Sequence, residues 1–313
     1  MTRTFATASA PLPTGPSPMS SDELAVARSV LYASLFDYPL TVAQLRHSLI
    51  ESTLTPTQIL AAHSGSDALR ATVEYRDDFF FPRGRYDLVA ERRRRETRSR
   101  RFLDQHRLLL TLVCAMPYVR MVALSGSIAH MNLEGDGDLD LFIVTRGCRV
   151  WSVTVAVVFL AKLMRRRRIV CANFVVADSR LTLDQQDLFT ASQIIHLKPL
   201  IGRDIFRRFV AANPFVGRWY PNFHPGANAD LPFRTSRLTG GLKAAIETLF
   251  AFPSLGVEAI CRRAYAAYLM RRSASWRSPE QVRLQPDCLK LHTQSHRDSV
   301  LERFDRATQK LGT

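Results

Sequence analysis

Two aspartates one residue apart, Asp138 and Asp140, are the side chains of this sequence best suited to chemistry. They begin an apolar run that ends at Thr145, which predicts a short buried strand. Because side chains alternate faces along a strand, the two carboxylates point the same way, while Leu139 and Leu141 point into the core. Carboxylates on one face repel each other unless a cation lies between them, and Mg²⁺ prefers oxygen ligands. The pair therefore predicts a divalent-cation site.

A Ser-Gly-Ser turn, Ser125 to Ser127, precedes the aspartates and follows the apolar run Met121 to Leu124. Gly126 permits a backbone conformation that other residues resist. Ser127 is expected to open a short helix whose free N–H groups can hold a phosphate. A phosphate-binding turn that faces paired carboxylates suits metal-assisted phosphoryl or nucleotidyl transfer. The alternative is a surface turn that merely precedes a strand, which the cost of burying two unpaired charges disfavours.

The order strand, Gly126-Ser127, ten intervening residues, Asp138-Leu139-Asp140, strand resembles the nucleotidyltransferase fold of the DNA polymerase beta superfamily, in its minimal, antibiotic-type form. The resemblance covers roughly residues 100–200. It implies that the protein transfers a nucleoside monophosphate from an NTP to an acceptor hydroxyl with Mg²⁺ at one or two sites. It also implies that Asp138 and Asp140 are catalytic metal ligands and that Gly126 and Ser127 bind the nucleotide.

The sequence departs from this family where a third carboxylate usually stands, on the strand beside the Asp-x-Asp strand. The predicted strand Ile169 to Ala177 contains Asn173 as its polar residue, and Asp178 lies at an odd offset, facing the other side. An asparagine carbonyl can contact a metal or nucleotide, but it is uncharged and accepts no proton at neutral pH. The second Mg²⁺ is therefore expected to be held more weakly than the first. A structural hydrogen bond to a neighbouring loop is the alternative role of Asn173.

A second candidate for nucleotide binding is Lys198, at the end of a helix predicted over Thr182 to Leu197. Its ammonium group could reach a triphosphate, and the adjacent His196 could act as a base or proton relay. The structural alternatives are a solvated cation at a helix C-terminus for Lys198 and a hydrogen-bonded core residue for His196.

The charge of the chain suggests an anionic partner. Among 313 residues, 43 Lys and Arg face 28 Asp and Glu, a net charge of +15. Such an excess favours nucleic acid, nucleotide or an acidic membrane surface, although solvated arginine faces explain it equally well. The longest apolar run, Val150 to Ala161, is shorter than the roughly 20 residues of a membrane span, so no transmembrane segment is expected. Five scattered cysteines without a CxxC motif indicate reduced thiols of a cytoplasmic protein, not a disulfide or zinc framework.

The N-terminal part of the chain divides into two predicted regions. Residues 1–20, rich in Ala, Pro, Ser and Thr, are expected to be a disordered tail. Residues 21–90 predict a winged-helix-like domain, in which helices capped by Ser21 or Asp22, by Thr41 and by Thr55 precede a β-hairpin. Arg83 and Arg85 are expected at the tip of the wing. This outline often binds DNA, but the helix in the recognition position, residues 55–63, carries no Lys or Arg, so a protein contact is the alternative.

Two further regions complete an α+β protein: a nucleotidyltransferase core with a mixed sheet over 91–202 and a mainly helical C-terminal region over 203–313. The core begins with a long predicted helix, Glu91 to Met116, whose arginine-rich first half could attract phosphate or simply face solvent. The basic segment Ala259 to Tyr268 could lie on a membrane surface or pack against the core. We expect a nucleotidyltransferase with NTP and a small-molecule, protein or RNA acceptor as partners. The alternative is a degenerate nucleotide- or nucleic-acid-binding protein, regulatory through its winged-helix-like domain.

Overall fold

The computed structural model describes residues 18–135, 137–226, 241, 243–245, 247–248, 253–293, 295–309 and 311. The predicted tail, apart from its last three residues, lies outside the described residues, as do 227–240 of the loop that precedes the C-terminal helices.

The N-terminal part forms short helices around a three-stranded antiparallel sheet of order β1-β3-β2. In chain order its elements are α1 (Ser21–Ser34), β1 (Leu40–Thr41), α2 (Val42–His47), α3 (Pro56–Gly65), α4 (Asp67–Thr72), β2 (Val73–Arg76) and β3 (Phe79–Pro82). Thr41 and Thr55 cap α2 and α3 through reciprocal hydrogen bonds with the residue three positions on, which confirms two predicted helix starts. The cap of α1 is Ser20, one residue before the predicted position.

The tip of the β2–β3 hairpin is acidic, so the prediction of arginines at that tip was wrong. Asp77 and Asp78 form the turn, and both have a positive φ, a conformation that aspartate tolerates better than most residues. Arg83 follows the second strand, and Arg85 pairs there with Asp87. The sequence signal Pro-Arg-Gly-Arg marked the exit from the hairpin instead of its tip.

A second, mixed sheet of six strands, in the order β7-β4-β5-β6-β9-β8, organises the rest of the described chain. The β5–β6 pairing is parallel and the other four pairings are antiparallel. The strands are β4 (Val119–Leu124), β5 (Leu139–Thr145), β6 (Val170–Ala177), β7 (Lys198–Ile201), β8 (Val282–Gln285) and β9 (Cys288–Leu291). The helices are α5 (Asp87–Gln105), α6 (Arg107–Ala115), α7 (Gly126–Ala129), α8 (Val150–Leu163), α9 (Leu188–His196), α10 (Arg203–Ala211), α11 (Phe215–Trp219), α12 (Pro253–Met270) and α13 (Arg297–Gln309).

Helices cover both faces of this sheet, and β5 divides its side chains between them. Leu139 and Leu141 are buried in the core formed with α6 and α8, which confirms the predicted alternation. Phe142 and Val144 pack on the opposite face, in the core formed with α9 and α10. Asp140 shares this second face because it stands two residues before Phe142. The α+β class and the mixed sheet are thus confirmed.

Several boundaries differ from the sequence-based expectation for local reasons. The predicted helix over Glu91 to Met116 divides at His106, whose Nδ1 lies 2.7 Å from the carbonyl oxygen of Phe102. The helix predicted from Thr182 begins only at Leu188, where the Asp187 side chain accepts a hydrogen bond from a first-turn N–H group. No helix among the described residues is both long and apolar enough to cross a membrane.

Three strands of this sheet, β7, β8 and β9, formed where the sequence predicted none. Lys198–Ile201 pairs with β4 at one edge of the sheet, the position in which its proline is tolerated. The hairpin of β8 and β9 pairs with β6 on the other side, so the region predicted as mainly helical contributes a third of the strands of the sheet. Each of the three strands is only four residues long, which is too short for a periodic pattern to be distinguished in the sequence.

Candidate active site

Asp138 and Asp140 line a cavity of about 880 Å³ on the α9 face of the sheet. Both side chains are half-buried. No Lys, Arg or His of the described chain forms an ion pair with either carboxylate, although arginines pair with other acids nearby. The two carboxylates therefore face the cavity with their charges uncompensated by the described residues.

The Ser-Gly-Ser turn packs directly against the second carboxylate. The Ser125 N–H group donates a 2.9 Å hydrogen bond to the main-chain oxygen of Asp140, and Gly126 follows with φ of +63°. A Cβ atom on Gly126 would overlap Oδ2 of Asp140 and lie 3.2 Å from its Cγ. Glycine is needed here both for the left-handed backbone and for the close approach. The expected proximity of turn and carboxylate pair is therefore present, and Ser127 is exposed at the cavity wall.

A β-bulge in β6 brings Asn173 to the same carboxylate. Asp140 lies opposite Cys171 and Phe142 opposite Phe174, so two residues of β6 face one of β5 between these pairs. Such bulges redirect a side chain, and here the Asn173 amide donates a 2.8 Å hydrogen bond to Oδ1 of Asp140. Asn173 thus orients a candidate metal ligand through its N–H group, a structural role different from the loop contact weighed above.

Cys171 is the site residue that sequence reasoning missed. Its sulfur and the carboxylate oxygens of Asp138 and Asp140 lie within 4.8 Å of one another. Burial and the two neighbouring carboxylates raise the pKa of the Cys171 thiol to about 12, so it stays protonated. A neutral thiol thus faces the carboxylate pair from the neighbouring strand. The signal that could have found it is the spacing Cys171-x-Asn173 on the strand predicted to pair with the aspartates.

Burial, reinforced by the charge of Asp138, raises the pKa of Asp140 from 3.8 to about 7, although the hydrogen bond from Asn173 acts in the opposite direction. The raised pKa indicates that the surrounding residues do not fully stabilise the negative charge of the two carboxylates. A bound cation would stabilise that charge. Two carboxylates suit a hard ion such as Mg²⁺, whereas a protonated thiol is a poor ligand for it. The donor set therefore fits one Mg²⁺, with Asp138 and Asp140 as its protein ligands.

Asp178 and Lys198 lie away from this group. The Asp178 carboxylate accepts a 2.9 Å hydrogen bond from the N–H group of Gly147, so it faces the loop after β5, as its offset predicted. Lys198 pairs in register with Leu124 on the edge strand β7 and is outside the cavity lining. The structure thus brings together Gly126, Ser127, Asp138, Asp140 and Asn173, but not Lys198.

His196 lines the cavity beside His130, with their ring centroids 4.1 Å apart. Burial lowers the pKa of His196 to about 3 and holds the pKa of His130 well below its ordinary value. The Nδ1 atom of His196 donates to the carbonyl oxygen of Ser192 at 2.7 Å. These contacts favour the hydrogen-bonded core role of His196 over the role of a general base.

A basic part of the cavity lining comes from the C-terminal hairpin, which extends the same sheet beyond β6. Lys290 on β9 donates hydrogen bonds to the side-chain oxygens of Gln185 and Gln281, at 2.8 and 3.2 Å. Lys290 lies opposite Arg283 in the β8–β9 register, and burial together with the charge of Arg283 lowers the pKa of Lys290. Lys290 and Arg283 both line the cavity, whereas Lys198 does not.

Comparisons with known proteins identify no relative of this chain. No protein-family model matches the chain, no curated protein matches it, and no solved structure matches it. The functional argument therefore rests on the arrangement of Gly126, Asp138, Asp140 and their neighbours.

Proposed function

We propose that this protein is a Mg²⁺-dependent nucleotidyltransferase with a polymerase-beta-like core, which moves a nucleoside monophosphate from an NTP to an acceptor hydroxyl. The observation that supports the proposal most is the contact between the Gly126 turn and the Asp140 carboxylate. A glycine turn packed against one of two carboxylates, with both facing a cavity of about 880 Å³, is costly for stability and suits a metal–phosphate site. All five cysteines are free thiols, which supports a cytoplasmic location as part of the proposal.

The residues of the chain have separate roles in this proposal. Asp138 and Asp140 hold the cation, and Asn173 fixes the orientation of the Asp140 carboxylate. The turn at Gly126 and Ser127 faces the terminal phosphates, and Lys290 and Arg283 of the cavity lining offset negative charge. When bound, Mg²⁺ supplies charge compensation at the phosphates and helps to align them for in-line attack.

A second candidate is a nucleotide-binding protein that does not catalyse transfer. The neutral thiol of Cys171 and the amide of Asn173 occupy the side of the pair where the resemblance places a third carboxylate. Neither group takes up a proton from an attacking hydroxyl at neutral pH. A protein of this kind would still bind Mg²⁺ and an NTP through Asp138 and Asp140.

Pyrophosphate release separates the two candidates. A transferase is expected to release pyrophosphate from at least one of the four NTPs when Mg²⁺ and a cell extract that supplies the acceptor are present. The double substitution Asp138→Asn with Asp140→Asn should abolish this release. A matched control is Asp178→Asn, because the Asp178 carboxylate accepts a hydrogen bond from the Gly147 N–H group, outside the site. Mg²⁺-dependent NTP binding without release, in the wild-type protein, would establish the non-catalytic candidate.

We further propose that the N-terminal part is a winged-helix-like module that contacts protein and not DNA. Its hairpin tip carries Asp77 and Asp78, and α3 lacks lysine and arginine, so the surfaces that usually meet phosphates are acidic or neutral. A gel-shift titration tests this proposal. DNA binding that is tight, depends steeply on salt and is unchanged by Arg165→Gln with Arg166→Gln and Arg168→Gln would contradict the proposal and assign DNA binding to this module.

A further inference from the structure

The exposed apolar side chains of this protein are concentrated on one layer of helices. Of ten large apolar side chains that are exposed in the described chain, eight lie on α6, α8 and α12. They are Leu108, Leu112, Phe159, Leu163, Val257, Ile260, Tyr268 and Met270. Phe159, Leu163 and Ile260 are 66%, 70% and 69% exposed. Single exposed apolar residues are ordinary, but a group of this size marks an interaction surface.

Helices α6, α8 and α12 all pack against one hydrophobic core, α12 through Cys261 and Tyr265. Leu109, Leu110 and Val113 of α6, like Val153 and Val157 of α8, point inward to the core of the sheet. Residues on the opposite side of each helix therefore point outward together. We call this surface, formed by the eight exposed side chains, the outer face.

Helices α8 and α12 run in the same direction along this layer. Glu258, near the start of α12, accepts 2.8 Å hydrogen bonds from the N–H groups of Trp151 and Ser152 at the start of α8. At the other end, Arg167 follows α8 and lies beside the Tyr265 side chain of α12. The C-terminal ends of the two helices thus lie on the same side of the layer.

That side is strongly basic. Arg165, Arg166, Arg167 and Arg168 follow α8, and Arg271 and Arg272 follow α12. All six arginines are exposed, and within the described residues none of them is paired with a carboxylate. We call this group the basic end of the outer face. It presents a block of positive charge immediately beside exposed Leu163 and Met270.

We propose that the outer face is a docking surface for an anionic lipid membrane, on which the protein lies without spanning it. Exposed phenylalanine, leucine and isoleucine side chains beside a cluster of arginines match the interface of a bilayer, where acyl chains adjoin acidic headgroups. A second copy of the chain fits less well, because it would bring the six arginines of each copy together, and neither the outer face nor its basic end, as defined above, includes a carboxylate. A nucleic acid would match the basic end but leave the apolar side chains of the outer face exposed.

Co-sedimentation of the full chain with vesicles tests the proposal. Vesicles with about 30% phosphatidylserine are compared with pure phosphatidylcholine at about 0.1 M salt, where charges act over about 10 Å. The protein is expected to bind the acidic vesicles and to dissociate as salt is raised. Arg165→Gln with Arg166→Gln and Arg168→Gln should weaken binding about 100-fold, roughly fivefold for each charge. Phe159→Asp with Leu163→Asp should weaken it by at least about tenfold.

Control variants remove the same number of arginines, or an exposed leucine, elsewhere on the surface. Arg93→Gln with Arg94→Gln and Arg303→Gln changes three exposed arginines outside the layer, and Leu60→Asp changes an exposed leucine of α3. These variants should bind vesicles within about twofold of the wild-type protein. Circular dichroism melting of each variant separates lost folding from lost binding.

Three results would overturn the assignment. The first is equal binding to acidic and neutral vesicles, or none to either. The second is a dimer, in analytical ultracentrifugation, that Leu163→Asp dissociates, which would make the outer face an interface between copies. The third is RNA binding that the arginine variant loses and the Phe159→Asp, Leu163→Asp variant keeps, together with no lipid binding.

Discussion

Asp140→Asn should make the protein more stable while removing its metal site. The pKa of Asp140 is raised from 3.8 to about 7 in the folded protein, by burial and then by the charge of Asp138. The folded state thus binds a proton more tightly than the unfolded state does. The resulting stability is complete below about pH 4 and is lost as the pH rises through 7. Asparagine has the same size, carries no charge and can still accept the hydrogen bond from Asn173.

The magnitude follows from the pKa difference. About three pKa units at about 1.4 kcal/mol each give an upper bound of about 4 kcal/mol, and partial exposure of the side chain reduces this to about 2 kcal/mol. At pH 8 without divalent cations, Asp140→Asn should therefore raise the free energy of unfolding by about 2 kcal/mol. Near pH 4 the change should be close to zero, because the wild-type carboxyl group is then protonated in the folded state.

Urea denaturation with EDTA, at about pH 4.5 and pH 8, measures this difference. Asp178→Asn is the matched control, because its carboxylate accepts a loop hydrogen bond and its substitution should not stabilise the protein. Adding Mg²⁺ should then stabilise the wild-type protein and leave Asp140→Asn unchanged. If Asp140→Asn destabilises the protein by the same amount at both pH values, the ionised carboxylate of Asp140 does not destabilise the folded state, and the prediction is refuted.

The remaining predictions concern the same site. Gly126→Ala should weaken Mg²⁺-dependent NTP binding at least about tenfold, because the left-handed backbone costs about 1 kcal/mol and the new Cβ displaces the Asp140 carboxylate. Calorimetry that shows unaltered affinity would contradict the packing described for Gly126. Mg²⁺ affinity should be about tenfold weaker at pH 6 than at pH 8, since a proton competes at a group whose pKa is about 7. Calorimetry in buffers of different ionisation enthalpy should detect the released proton, and a pH-independent affinity would count against Asp140 as a ligand.

The parts of the site that follow regular periodicity could be predicted from the sequence. The alternation at Asp138 and Asp140, the glycine turn and the helix starts at Thr41 and Thr55 each depend on residues close in the chain. Their local geometry decides the outcome, and the structure agrees with it. Other local signals failed: Pro-Arg-Gly-Arg marked the exit from the hairpin, and the helix predicted from Thr182 begins at Leu188.

The features that the sequence did not predict depend on pairing between distant segments. The bulge that turns Asn173 toward Asp140 is a property of the β5–β6 register, which a single strand does not encode. Cys171 was counted as a scattered thiol because its relevance comes from lying opposite Asp140. Lys290 reached the cavity through a hairpin of four-residue strands, too short for a periodic pattern.

The central claim is that the carboxylates of Asp138 and Asp140 jointly hold the cation that binds an NTP. Isothermal titration with a non-hydrolysable NTP, with and without Mg²⁺, tests it most directly on the wild-type protein and on Asp138→Ala with Asp140→Ala. The account predicts Mg²⁺-dependent binding that the double substitution abolishes while the fold is retained. Nucleotide affinity that is the same in both proteins, or that is independent of Mg²⁺, would contradict it.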